Sequence, residues 1–140
     1  MKTFTKTLIA LFTTALLYTT CKPIEPPVTV NPTITLSQGD DDCELKLSGD
    51  ILNELTRTKG NNLVTWVCGT GVEEIVSIFK KSGDDVFQVG PKIKNPNKAK
   101  SDWFGITKNT TDKLTEEYGI IWKDSDGNSC THDPSIKINQ

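Results

Sequence analysis

Two runs decide the fold: residues 63–68 (LVTWVC) and residues 74–80 (EIVSIFK). Both are rich in β-branched and aromatic residues, both are short, and both are bounded by turn formers. The same pattern extends outward. Residues 33–36 (TITL) and 43–47 (CELKL) alternate polar and apolar, and 86–89 (VFQV), 103–107 (WFGIT), 118–123 (YGIIWK) and 135–139 (SIKIN) follow. Gly60-Asn61-Asn62, Ser82-Gly83-Asp84-Asp85 and Asp124-Ser125-Asp126-Gly127 supply turns. About eight short strands with such punctuation predict a mainly β fold, an antiparallel β-sandwich of immunoglobulin-like or metal-free cupredoxin-like shape. Residues 50–57 (DILNELTR) are the exception. Ile51, Leu52 and Leu55 share a helical face and Asp50 is placed as N-cap, so one short helix is expected there. Residues 112–117 are expected to form a further turn. The predicted core comprises Leu45, Leu47, Val64, Trp66, Ile75, Ile78, Phe79, Phe87, Ile120, Trp122, Ile136 and Ile138, and Trp103 and Phe104 are expected to join it.

The chain has 140 residues, of which 35% are hydrophobic and 24% charged, with a net charge of −2 and a single His. That is too polar for a multi-span membrane protein and too apolar for a disordered tail, and it has room for one domain. The first Asp or Glu is Glu25. Without its first twenty residues the chain carries 14 basic and 18 acidic residues, net −4. A weakly acidic domain argues against nucleic-acid binding, which needs a positive field.

Residues 1–6 carry Lys2 and Lys6, residues 7–17 (TLIALFTTALL) are apolar, and Tyr18-Thr19-Thr20-Cys21 follows. The apolar run is shorter than the roughly 20 residues of a membrane span and fits an export signal. These segments and Cys21 resemble a bacterial lipoprotein signal peptide, in the relaxed form found in small Bacteroidota-type lipoproteins. Tyr18 and Thr20 depart from the Leu and Gly or Ala usual at those lipobox positions. The resemblance implies cleavage before Cys21 and acylation of that residue. It also implies an outer-membrane lipoprotein, since Lys22 is not the Asp of inner-membrane retention; the leaflet stays open. Four of the seven Pro lie between Pro23 and Pro32. They read as an extended spacer reaching on the order of 35 Å. The expected organisation is a signal peptide (1–20), an acylated Cys with a Pro-rich tether (21–32) and a β-sandwich domain (33–140).

With Cys21 acylated, Cys43, Cys68 and Cys130 remain as disulfide candidates in an oxidising compartment. Strand ends favour Cys43–Cys68, with Cys68–Cys130 next and three buried thiols as the remaining alternative. Cys130-Thr131-His132 alone is a poor zinc pattern, and one His without a Met in the processed chain does not fit a blue-copper site. No metal or other cofactor is expected. The order Cys43, Trp66, Tyr118 resembles the immunoglobulin pattern loosely; the sandwich is carried over, not the family.

Asp124-Ser125-Asp126-Gly127 opens like a calcium loop, but Ser135 stands where the closing Glu belongs, so a hairpin turn is expected. Asp40, Asp41, Asp42 and Glu44 read as a solvated acidic loop. Glu73/Glu74 and Glu116/Glu117 are adjacent on strands, where side chains point apart rather than face each other across a bond, so both pairs are expected to be surface charges. No nucleophile elbow surrounds a Ser, and His132-Asp133 forms no readable triad. Asn109-Thr110-Thr111 matches a sequon by spacing alone. The lysine-rich stretch 91–103 (PKIKNPNKAKSDW) places Lys92, Lys94, Lys98 and Lys100 in one loop, a surface for an anionic partner or a solubilising loop. The expected function is a lipid-anchored, non-catalytic binding or accessory module of the cell envelope, with an envelope protein or glycan as partner. A periplasmic inhibitor or immunity-type protein is the first alternative and a small envelope enzyme the second.

Overall fold

The computed structural model describes residues 31–52, 54–98 and 100–139. The expected signal peptide, Cys21 and most of the expected tether lie outside the described residues. Among the described residues eleven strands form two facing sheets: β1 (Thr33–Gln38), β2 (Leu45–Gly49), β3 (Ile51–Leu52), β4 (Leu55–Thr58), β5 (Leu63–Cys68), β6 (Val72–Gly83), β7 (Phe87–Ile93), β8 (Trp103–Thr107), β9 (Leu114–Asp124), β10 (Ser129–His132) and β11 (Ser135–Ile138). One sheet has the order β2-β1-β5-β8-β7. In the other, β9 is central: β6 pairs along one edge, β10 and β11 share the other, and β4 and β3 continue beyond β11. The mainly β sandwich is the expected class. Its sheets are mixed, however, because β1 runs parallel to β5 and β11 parallel to β4. Parallel neighbours need a crossover, and here the chain between β1 and β5 passes through the other sheet.

The crossing is made at Gly49. Its φ of 95° is open to glycine, and a β-carbon there would meet the Thr33 carbonyl oxygen at 2.3 Å. Asp50 then accepts a hydrogen bond from the Thr33 N–H at 2.9 Å. The short helix expected at 50–57 is therefore corrected. That segment is the β3–β4 hairpin, with Glu54 at a φ of 61° in its turn. The apolar positions Ile51, Leu52 and Leu55 fit a helix in isolation, but β4 gains a partner on β11 that an isolated turn lacks. The turn expected at 112–117 is likewise mostly the start of β9.

The core follows alternation on the inner faces. Ile34, Leu36, Val64 and Trp66 from one sheet meet Tyr118, Ile120, Trp122, Ile136 and Ile138 from the other, all fully buried. Trp66 and Tyr118 pack edge to face with ring centroids 5.7 Å apart, and the indole N–H donates to the phenol oxygen at 3.2 Å. Phe79, expected in the core, is 38% exposed. The cause is a set of β-bulges in β6, with register shifts at Val72/Glu74 and Ile75/Ser77. Each inserts a residue and resets which face follows, so Val72, Ile75 and Ile78 all point inward at a spacing of three. Trp103 is half-buried against the core, and its indole N–H donates to the Ile75 carbonyl at 2.9 Å.

The disulfide joins Cys43 to Cys130, with Cα atoms 5.1 Å apart, and leaves Cys68 free. This corrects the expected Cys43–Cys68 bridge. That pairing assumed that β2 and β5 are neighbours, whereas β1 lies between them. Cys43 also lies before β2, at a φ of 63°, in the loop that reaches across to β10. A shorter loop would have favoured Cys68 by only about 1 kcal/mol, so topology decides. The bridge closes a loop with a sequence separation of 87 and ties one sheet to the other. Replacing Cys43 and Cys130 together by Ser is expected to cost roughly 4–5 kcal/mol in urea unfolding on the chain-entropy account. Cys68→Ser should move the midpoint far less.

Candidate functional site

The parallel register of β1 and β5 gives the sandwich two distinct ends. Chain entry into β1 lies beside the start of β5. The Thr65 N–H donates to the Pro32 carbonyl at 2.9 Å, and the Leu63 N–H donates to the Asn31 side-chain oxygen at 2.9 Å. The opposite end gathers the β1–β2 loop, the β5–β6 turn, the β9–β10 turn and the β7–β8 hairpin, because β1, β5 and β9 finish there and β8 starts there. Lys94, Lys98 and Lys100 lie in the tip of that last hairpin, 94–102, while Lys92, expected in the same loop, is on β7. The tip is pinned by the Lys94 N–H to the Asp102 carbonyl at 2.7 Å and by the Asn95 N–H to the buried Ser101 hydroxyl, also at 2.7 Å.

The four lysines do not form one positive surface. Lys92 lies over the Phe104 ring, 5.2 Å from its centroid. Lys100, held at a φ of 54°, pairs with Glu73 at 2.8 Å. The Glu73 hydrogen bond holds the Lys100 ammonium above its ordinary pKa. Among the described residues neither Lys94 nor Lys98 has an acidic partner within 4.0 Å. Between the hairpin and the start of β6 lies a cleft of about 420 Å³. Glu73, Glu74, Ile93, Pro96, Lys98 and Lys100 are among its lining residues. The bulge at Val72/Glu74 leaves both Glu73 and Glu74 exposed beside it, where a regular strand would send them to opposite faces. Glu74 pairs with Lys123 at 2.8 Å. Both are surface charges, as expected, and the bulge, which alternation counting does not see, sets both beside this cleft. Cys68 ends the neighbouring β5, half-buried, and burial pushes its thiol pKa up.

The acidic loop is internally satisfied. Glu44 accepts the Asp40 N–H at 2.8 Å, and Asp40 pairs with Lys46 at 2.7 Å. The Asp124 carboxylate closes the β9–β10 turn as the sequence predicts. It accepts the Asn128 side-chain amide and the Asn128 and Asp126 N–H groups at 2.8–2.9 Å. The Asn128 amide leads in holding its pKa low. Oxygens turned toward N–H donors in this way do not face a cation. His132 Nε2 is buried 3.4 Å from Glu54, and Asp133 pairs with Lys81 at 2.7 Å. Among the described residues no group of three or more His, Cys, Asp or Glu is placed to hold a metal ion.

A second cleft, of about 340 Å³, opens on the side of the sandwich between β6 and β7 and is lined in part by Lys80, Asp85, Phe87 and Glu116. Glu116 is the one carboxylate on the inward column of β9 that faces this cleft, and it is 4% exposed. It accepts the Val86 N–H at 2.8 Å and so holds the β6–β7 connection whose Val86 side chain plugs the core. Burial raises its pKa, and Asp85 adds to the rise, while the Val86 N–H, Lys80 and Lys108 oppose it. Asp85 is lowered instead, by its hydrogen bond to Lys80 at 2.5 Å. Sequence reading missed Glu116 because adjacent Glu116-Glu117 resembles a surface pair; its place on the Tyr118, Ile120, Trp122 column was the available signal.

Fold and site together define a small β-sandwich with a charged cleft at the end away from its N-terminal entry. No family model and no curated protein matches the chain.

Because the folded-state pKa of Glu116 lies above its unfolded value, the charged form costs stability. The carboxyl's contribution is fullest below the unfolded pKa and is lost as pH rises through the folded one. Glu116→Gln keeps an acceptor for Val86 without the charge. Its stability relative to the parent should therefore rise with pH across that interval, measured by denaturation at several pH values. Glu116→Ala strands a buried N–H and should cost about 1–3 kcal/mol at every pH.

Proposed function

We propose that the chain is a lipid-anchored protein of the cell envelope, acylated at Cys21, whose sandwich is a non-catalytic binding or accessory module. The signal-like residues 1–20, Cys21 and the Pro-rich spacer support the anchor. One observation carries the module reading: the chain enters the sandwich at one end, and the charged cleft and lysine hairpin lie at the other. A domain held at Cys21 turns that far end toward whatever the envelope presents. Two or more acyl chains make such attachment stable, each buried CH2 contributing about 0.8 kcal/mol, so the protein works at a surface. Among the described residues no helix is long and apolar enough to cross a membrane.

The anchor is tested by labelling cells with a palmitate analogue. The parent chain should carry label and fractionate with the outer membrane. Cys21→Ala should lose the label and leave the membrane fraction. Undiminished labelling of the variant would overturn the assignment of Cys21.

A further inference from the structure

We propose that the cleft between the β7–β8 hairpin and the bulged start of β6 binds a short zwitterionic peptide, one that carries a free side-chain ammonium and carboxylates on a short apolar stem. The inference rests on the envelope-module reading and names the ligand of that module's far end. Glu73 and Glu74 are brought to one side of the cleft by the Val72/Glu74 bulge, and Lys98 and Lys100 come from the hairpin opposite. Ile93, 37% exposed, and Pro96 supply apolar contact between the two signs. At about 420 Å³ the cleft is within the range of small-ligand sites. Lys100 is fixed over it in the left-handed region, a conformation that a side chain with a β-carbon adopts only against a steric penalty.

Charge pattern selects the ligand. A purely anionic chain would meet Glu73 and Glu74, and a purely cationic one would meet Lys98 and Lys100, so neither is matched. A peptide with both signs is matched on both walls. The ion pairs already present do not close the site. The side chains of the Lys100–Glu73 and Lys123–Glu74 pairs are about half exposed, and such pairs contribute little and exchange readily. A ligand ammonium can therefore bind at Glu74 while its carboxylate takes Lys98, which has no acidic partner among the described residues. The cross-linking peptides of a bacterial wall have this chemistry and lie within reach of a tethered envelope domain.

The test is calorimetric titration of the full chain in detergent with the tripeptide L-Ala-γ-D-Glu-L-Lys. Parallel arms use the same peptide acetylated on the lysine amine, the same peptide with amidated carboxyls, and polyglutamate. The unmodified tripeptide should bind, with each blocked peptide at least about tenfold weaker. Glu74→Gln should weaken the free-amine peptide and leave the acetylated one unchanged. Lys98→Gln should weaken the peptide with free carboxylates and leave the amidated one unchanged. Both side chains are exposed, so both variants should keep the parent's unfolding midpoint, which separates lost contact from lost fold. No heat at millimolar tripeptide, equal binding of the acetylated form, or preference for polyglutamate would each overturn the proposal. Peptide binding without palmitate labelling would remove the anchor and keep the cleft; labelling without peptide binding would do the reverse.

Discussion

The contact between Trp66 and Tyr118 is the constraint around which the two sheets are arranged. Each ring comes from a central strand of its own sheet, β5 and β9, and each is fully buried. Their polar atoms would be orphaned in an apolar core, at a cost of about 1–3 kcal/mol each, unless they meet. The indole N–H donates to the phenol oxygen and Thr56 hydrogen-bonds the same phenol, so two large aromatic surfaces leave water with their polar atoms partnered. Burial keeps the phenol neutral by pushing its pKa up to about 12, although the Trp66 and Thr56 hydrogen bonds favour the charged form. The edge-to-face arrangement fixes how far apart the sheets lie and which residues of β5 face which residues of β9. Ile34, Leu36, Ile120, Ile136 and Ile138 fill the remaining space. The disulfide adds a second tie at the margin, where β10 and the β1–β2 loop have less apolar surface to share.

How much of this is legible in the sequence depends on whether strands are regular. The bounds of β5 and β8 match the sequence reading because each is a short apolar run closed by turn residues on both sides. The run that becomes β6 is recognised as a strand, but its faces are not, because three bulges leave no trace in an alternation count. Phe79 is misplaced for that reason, and the shared place of Glu73 and Glu74 beside one cleft is not foreseen. The β3–β4 hairpin is misread as helix because its partner, β11, lies far along the chain. The bridge is misassigned because strand adjacency was inferred from sequence order, and β1 intervenes. In each case the deciding contact is long-range, and local patterning carries no record of it.

The same limit applies to the site. Lys92, Lys94, Lys98 and Lys100 stand out in one dimension as a positive stretch on an acidic chain. In three dimensions half of the stretch is engaged: Phe104 takes Lys92 and Glu73 takes Lys100. A lysine-rich loop that reads as an anion-binding surface becomes one wall of a cleft whose other wall is acidic. The change comes from a single inserted residue in β6, which is why a bulge beside a cleft is treated as a feature of function rather than a defect of the sheet.

One pairing also fixes where that cleft points. β8 is antiparallel to β5, and β7 is antiparallel to β8, so the hairpin between β7 and β8 emerges at the end where β5 finishes. Had β1 been antiparallel to β5, the chain would enter the sandwich at that same end, beside the hairpin. The parallel register of Thr33 to Thr65 and Leu36 to Cys68 puts entry and cleft a strand's length apart. That register depends in turn on the crossing at Gly49, where no residue with a β-carbon would pass the Thr33 carbonyl. A glycine in the corner between β2 and β3 thus helps keep chain entry and cleft at opposite ends of the sandwich. Substitution there would disturb the direction of the site before it disturbed any residue lining it.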